Sequence, residues 1–211
     1  MSAAVCVTVT AVAVVVLLVA QRPIGGVAKM IASTGFLALA LVCGALKTPY
    51  GWAVFMALVL SWFGDLFLIF RGPKLFLAGL VSFFLAHAAF AIAFLLYRVA
   101  LSWSIGAGIA LIAAAVPVWL WLSPHLGDMR LPVYAYVVII SIMVALSAGA
   151  VGRGGTALML IGALLFYASD LSVARDRFVK PEAWNSLWGL PLYYGGQVAL
   201  AYTVGLVPSQ V

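Results

Sequence analysis

The chain has 211 residues, 67% of them hydrophobic and 8% charged, with a formal net charge of +6. So little polar surface cannot coat a water-soluble globule, and a mean hydropathy of +1.24 belongs to an all-α, polytopic membrane protein. The basic residues fall one to three per gap between apolar runs and form no patch, which excludes a nucleic-acid binder and fits positive-inside topology.

A membrane-crossing helix needs about 20 mostly apolar residues, and charged, proline-bearing or glycine-bearing punctuation divides the chain into eight of them. They run over 3–20, 29–46, 50–70, 75–97, 102–122, 131–150, 155–174 and 185–207. The first run has no basic residue ahead of it and no small-x-small cleavage site before Gln21, so it reads as a retained span and not as a leader. Cys6 and Cys43 fall within spans and read as buried thiols. The odd connections carry Arg22, Lys29, Arg71, Lys74, Arg130, Arg175, Arg177 and Lys180, and the even ones only Lys47, Arg98 and Arg153. By the positive-inside rule both termini face outside and the odd connections face the cytoplasm, in the inner membrane if the cell is bacterial.

Two acids interrupt this apolar background: Asp65 in SWFGDLF and Asp170 in FYASDLS. A carboxylate near mid-bilayer costs about 2.5–3.5 kcal/mol, so each calls for a partner or a task. The third and seventh spans run in the same direction, and both acids sit about five residues before the cytoplasmic end, roughly 7–8 Å below it. The fourth span carries Gly79-Leu80-x-x-Phe83-Phe84-x-Ala86-His87, and the eighth answers with Gly189-Leu190-x-x-Tyr193-Tyr194-x-Gly196-Gln197. Asp170 follows Asp65 by 105 residues and Gly189 follows Gly79 by 110, which suggests one integral membrane domain of two parallel four-helix repeats, 1–100 and 101–211.

Residues four apart share a helix face, so Gly79, Phe83 and His87 form one stripe and Gly189, Tyr193 and Gln197 another. Four helices can then direct two carboxylates, an imidazole and a carboxamide at one cavity. Two carboxylates in close proximity cannot both stay ionised cheaply, and one of them then suits a general acid. The bland alternative makes His87 and Gln197 interhelical hydrogen-bond partners. Two acids and one histidine offer a metal few ligands, so no metal or other cofactor is expected. His125, in SPHLGDMR with Asp128, reads as solvated loop. Arg175, Arg177 and Lys180 signal topology and are candidates to hold a phosphate head group, with Asp176 and Glu182 balancing them.

The motifs together resemble the YhhN-like lysoplasmalogenases. The resemblance rests on Gly64-Asp65 with Leu68, Phe76-x-x-Gly79-Leu80-x-x-Phe83-x-x-Ala86-His87, and Pro132-Val133-x-x-Tyr136 with Met143. It continues in Gly162-Ala163-x-Leu165-Phe166-x-x-Ser169-Asp170 with Ala174 and Phe178, and in Tyr193-Tyr194-x-Gly196-Gln197. It covers the chain from about Lys29 onward. Met30 stands where a proline is expected after Lys29, Phe90 where a tyrosine is expected, and Gly196 where an alanine is usual; none removes an acid or the histidine.

The resemblance implies hydrolysis of the vinyl-ether bond of lysoplasmalogens to a fatty aldehyde and a glycerophosphocholine or glycerophosphoethanolamine. On that reading Asp65 and Asp170 are proton donor and water-activating base, in either order. His87 and Gln197 orient water and substrate; Ser169, Tyr193 and Tyr194 line the pocket; Arg175 and Arg177 meet the head group. The lysophospholipid enters sideways among membrane lipids. Intramembrane acids in parallel repeats also suit a small proton-coupled transporter, and a lipid-binding scaffold without turnover is a third class.

Overall fold

The computed structural model describes residues 2–19, 24–70 and 72–208. Ala20, Gln21, Arg22 and Arg71, which enter the leader and topology readings, lie outside the described residues. Eight α-helices follow one another: α1 (Ala3–Val19), α2 (Ile24–Val42), α3 (Pro49–Ile69), α4 (Pro73–Tyr97), α5 (Leu101–Leu122), α6 (Arg130–Gly152), α7 (Ala157–Ala174) and α8 (Ala183–Thr203). They correspond one to one with the eight expected spans, and among the described residues there is no strand.

Proline and threonine set several of the helix starts. Pro49 opens α3 behind Thr48, whose hydroxyl accepts the Gly51 N–H at 2.9 Å, and Thr156 caps α7 in the same manner. Pro73 occupies the first turn of α4, where its missing N–H costs nothing. Among the described residues, six of the helical segments are long and apolar enough to cross a membrane. In α1 only 17 residues are helical, and α8 carries Asn185, Tyr193, Tyr194 and Gln197 along its 21. The chain is an integral, multi-pass membrane protein.

The second helix departs from expectation. It begins at Ile24, five residues before Lys29, so Lys29 stands inside a helix and not in a connection. The reason is local: the Gly25-Gly26 pair, read as punctuation, is helical because α2 packs closely there, and a Cβ on Gly26 would sit 3.1 Å from the Ile69 side chain. Likewise Arg175 and Arg177 are not in an open loop; α7 continues into a π-helical turn, Arg175–Val179. His125 is exposed in a short 3-10 turn, as expected of solvated loop.

Helices pair in sequence, α1 with α2, α3 with α4, α5 with α6 and α7 with α8. Two further pairings recur in both halves: α2 packs on α3 and α8, while α6 packs on α7 and α4; α8 also packs on α1 and α3, for which α4 has no comparable pairing among the described residues. Close approach depends on glycine. A Cβ on Gly64 would strike the Phe83 ring, and Gly162 and Gly196 meet backbone to backbone between α7 and α8. Gly149 and Gly152 seat Ser104 and Trp103 of α5, whereas Gly106 and Gly108 face open space. Phe36, Tyr50, Phe90, Phe94, Met143, Met159, Phe166 and Leu200 are completely enclosed in the core between the helices. Large apolar side chains such as Trp103, Ile109, Ile112 and Trp119 on α5 face outward, as a bilayer allows.

Candidate active site

The ends of the helices surround a cavity of about 1020 Å³. Asp65 and Asp170 both line it, with Lys29, Phe83, Tyr136, Ser169 and Tyr193. The two acids, 105 residues apart in sequence, thus face one space.

Asp65 is held on every side. Its Oδ1 lies 3.1 Å from the Lys29 ammonium, and its Oδ2 accepts the Ser33 hydroxyl at 2.6 Å and the Tyr193 hydroxyl at 2.6 Å. The Ser33 hydroxyl is 3.1 Å from that of Tyr194, which donates to the Lys29 carbonyl at 3.1 Å. Lys29 and Ser33 reach the same acid because they are one turn apart on α2. A carboxylate with a cation and two hydroxyl donors has its charge and most of its lone pairs satisfied.

Asp170 has different company. Tyr136 donates its hydroxyl proton to Oδ2 at 2.8 Å, and the same oxygen lies 3.3 Å from Nε2 of His87. His87 Nε2 is also 2.9 Å from the Tyr136 oxygen, so the three groups close a triangle. On the other side of the ring, Nδ1 is 3.2 Å from the Met143 sulfur, which can accept a hydrogen bond but not donate one. Among the described residues no lysine or arginine reaches Asp170. Its side chain is 19% exposed against 2% for Asp65.

Neither carboxylate has the other among its hydrogen-bond partners. What joins the two clusters is a group of rings: Phe83, Phe166 and Tyr193 pack edge to face with centroids 5.3–6.0 Å apart. Phe166 also covers the His87 ring at 4.5 Å, while Tyr193 bonds Asp65.

The other expected site residues divide. Ser169 lines the cavity, but its hydroxyl donates to the Phe166 carbonyl at 2.7 Å. Tyr194 is buried behind Ser33 and does not line the cavity. Gln197 is fully buried one turn beyond Tyr193, and neither of its amide atoms has a hydrogen-bond partner among the described residues. His87 is fully enclosed and reaches the cavity only through Asp170 and Tyr136. Arg177 lines the mouth with its guanidinium 4.3 Å above the Phe76 ring, whereas Arg175 is tied to Asn185 and, at 2.7 Å, to Glu182. Lys180 and Arg175 together hold the Glu182 carboxyl below the usual carboxylate range. Asp176 pairs with no cation among the described residues; it accepts from Asn185 and the Glu182 N–H. Among the described residues no three His, Cys, Asp or Glu side chains converge as a metal would require.

Three partners escape the sequence reading: Lys29, counted toward topology, Ser33, given no role, and Tyr136, quoted in the family motif without a task. The available signal for the first two was a lysine and a serine four apart in an apolar run that also had to satisfy two membrane acids.

No solved structure matches the chain. Bovine lysoplasmalogenase TMEM86A is 31% identical over 163 residues, covering 74% of this chain and 66% of its own length. A Mycobacterium tuberculosis lysoplasmalogenase is 35% identical over 168 residues, 75% of this chain and 62% of its own. The chain therefore spans two thirds or less of the length of these relatives. The YhhN family pattern matches residues 27–204, from just before the Lys29 that pairs Asp65 to just past α8, and the chain belongs to the YhhN family.

Proposed function

We propose that the protein is a lysoplasmalogenase-like hydrolase that cleaves the vinyl-ether bond of a lysophospholipid by acid catalysis. The observation that carries this reading is one cavity lined by two carboxylates in unlike settings, Asp65 fixed by Lys29 and Asp170 coupled to Tyr136 and His87. Relatives bearing the name lysoplasmalogenase support the substrate class.

The roles follow from the partners. Asp170, on the exposed side and hydrogen-bonded to groups that can exchange a proton, protonates the alkenyl carbon one bond away from the carbon bearing the ether oxygen. The resulting oxocarbenium ion is positive, and Asp65, kept ionised by Lys29, stabilises it as a fixed anion. Water then adds to the carbon bearing the oxygen and returns its proton to Asp170, which acts in turn as acid and base, as in glycosidases. The hemiacetal collapses to a fatty aldehyde while its hydroxyl proton passes to the departing glycerol oxygen. His87 and Tyr136 position and recharge Asp170; Tyr193 and Ser33 position Asp65. Gln197 lies outside this circuit, and Arg177 is the cation available to a phosphate head group at the cavity mouth.

All eight helices cross the membrane on this reading, with both termini outside and the cavity at the cytoplasmic end, where most of the basic residues fall. The pairings that recur in both halves, α2 on α3 and α8 and α6 on α7 and α4, support a pair of parallel four-helix repeats. The test is aldehyde release by purified protein from a lysoplasmalogen in heavy water. One deuterium at the aldehyde carbon next to the carbonyl is the expected product; aldehyde without it contradicts carbon protonation, and no aldehyde from any lysoplasmalogen contradicts the reading.

A further inference from the structure

We propose that the groove between α1 and α2 is a binding site for the hydrocarbon tail of the single-chain lipid whose reacting end occupies the cavity; the inference rests on the function just proposed and adds where the rest of the substrate lies. The groove has a volume of about 650 Å³ and is lined by Cys6 and Val9 of α1, by Gly26, Val27, Met30, Ile31, Thr34, Gly35 and Ala38 of α2, and by Ile69 of α3. Gly26 and Ile69 line the cavity as well. The two spaces therefore meet at these residues, one turn from Lys29 and one turn from Asp65.

Three features select an alkyl chain as the occupant. The first is chemistry: Thr34 offers the groove's only side-chain hydroxyl, whose oxygen already accepts the Trp62 indole N–H at 3.2 Å, and Cys6 adds only a thiol, so the walls present little for a polar ligand to bond. The second is length. From Gly26 to Ala38 the α2 wall rises about 18 Å at 1.5 Å per residue, comparable with the roughly 15 Å depth of one leaflet of the hydrocarbon core. A chain leaving an acid-lined cavity near the membrane surface runs along it in the direction the leaflet's own chains take.

The third feature is the junction itself. Any side chain at position 26 would press on Ile69, where a Cβ would already stand 3.1 Å from Cγ2. Glycine keeps the passage between α2 and α3 low. Farther along, Gly35 lets α1 lie directly on α2 through Thr10, which closes the floor beneath the chain. The outer face of α5 makes a contrast: the Cβ positions of Gly106 and Gly108 meet nothing there, and that face offers no such floor. Selection among tail lengths then depends on the groove's far end, at Ala38, and not on the acids.

The test uses the full-length protein in nanodiscs with a saturated-ether lysophosphatidylcholine, which has no vinyl ether to cleave, carrying a photoreactive diazirine at the end of a sixteen-carbon tail. The expected result is crosslinking within Val27–Ala38 and the facing stretch of α1, saturable by unlabelled ether lipid and reduced at least ~10-fold, or about 1.4 kcal/mol, in Gly26→Trp protein. Crosslinks that do not saturate, or that fall equally on α5, mean bulk-lipid occupancy only and overturn the proposal. Ala38→Phe, which fills the far end without touching the junction, is expected to lower turnover of long-tailed lysoplasmalogen while leaving an eight-carbon tail unaffected; an unchanged chain-length profile also overturns it. If saturable crosslinking is found but no aldehyde is released at any tail length, the hydrolase reading falls and the tail site stands.

Discussion

The Asp65 and Asp170 clusters are built on the same plan and furnished differently. Each acid stands on the third helix of its half, takes a partner from the second helix of that half, and meets a ring from the last helix of the other half. For Asp65 these are Lys29 and Ser33 on α2 and Tyr193 on α8; for Asp170 they are Tyr136 on α6 and His87 on α4. Both acids line the cavity, but one cluster contains a cation around an acid that is almost wholly buried, and the other contains an imidazole around an acid that is more exposed. The placement is alike and the side chains differ; on the proposed function that difference separates a fixed charge from a proton carrier.

Breaking the Asp65 cluster is expected to have the largest effect on folding. Lys29→Met leaves the Asp65 carboxylate enclosed without its cation, and loss of one partner from a buried pair costs about 3–5 kcal/mol. The Lys29→Met/Asp65→Asn double variant removes the stranded charge and should recover part of the lost melting temperature in detergent; equal melting of wild type and Lys29→Met would mean that the pair does not hold Asp65.

Around Asp170 the effects belong to turnover. Tyr136→Phe removes the hydroxyl that donates to Asp170, and kcat is expected to fall ~10-fold, about 1.4 kcal/mol, with KM little changed. Met143→Leu keeps the volume beside His87 and removes the sulfur facing Nδ1. A fall in kcat of roughly threefold, under 1 kcal/mol, with an altered pH–rate profile, is expected; the same profile as wild type would make Met143 packing alone.

The smallest effect lies outside the cavity. Because Lys180 and Arg175 lower the folded-state pKa of Glu182, its contribution to stability is complete above the unfolded-chain value near 4.3 and is lost as pH falls through the lower folded value. Melting curves of wild type and Glu182→Gln should differ slightly at neutral pH and converge as pH falls through the lowered folded value.

The helices and the acids were legible in the sequence because both are strong signals in an apolar chain: spans need about 20 residues, and a membrane carboxylate stands out. The partners were harder to see. Lys29 near a span's end serves topology as readily as catalysis, and the Gly25-Gly26 pair concealed that α2 had already begun. Each acid has its own partner set, and those sets depend on the positions of α2, α6 and Tyr136, which no spacing in the sequence specifies. The burial of Gln197 without a partner among the described residues had no signature, since His87, at the matching place in the fourth span's motif, does bond.

The division of labour between the clusters is tested most directly by kcat and KM for aldehyde release in Asp170→Asn protein that melts like the wild type. Loss of the proton donor should lower kcat by about 10²–10⁴ with KM nearly unchanged, since the proton is needed in the transition state and not for binding. Turnover within a few-fold of wild type would contradict the assignment of Asp170 as the group that delivers the proton.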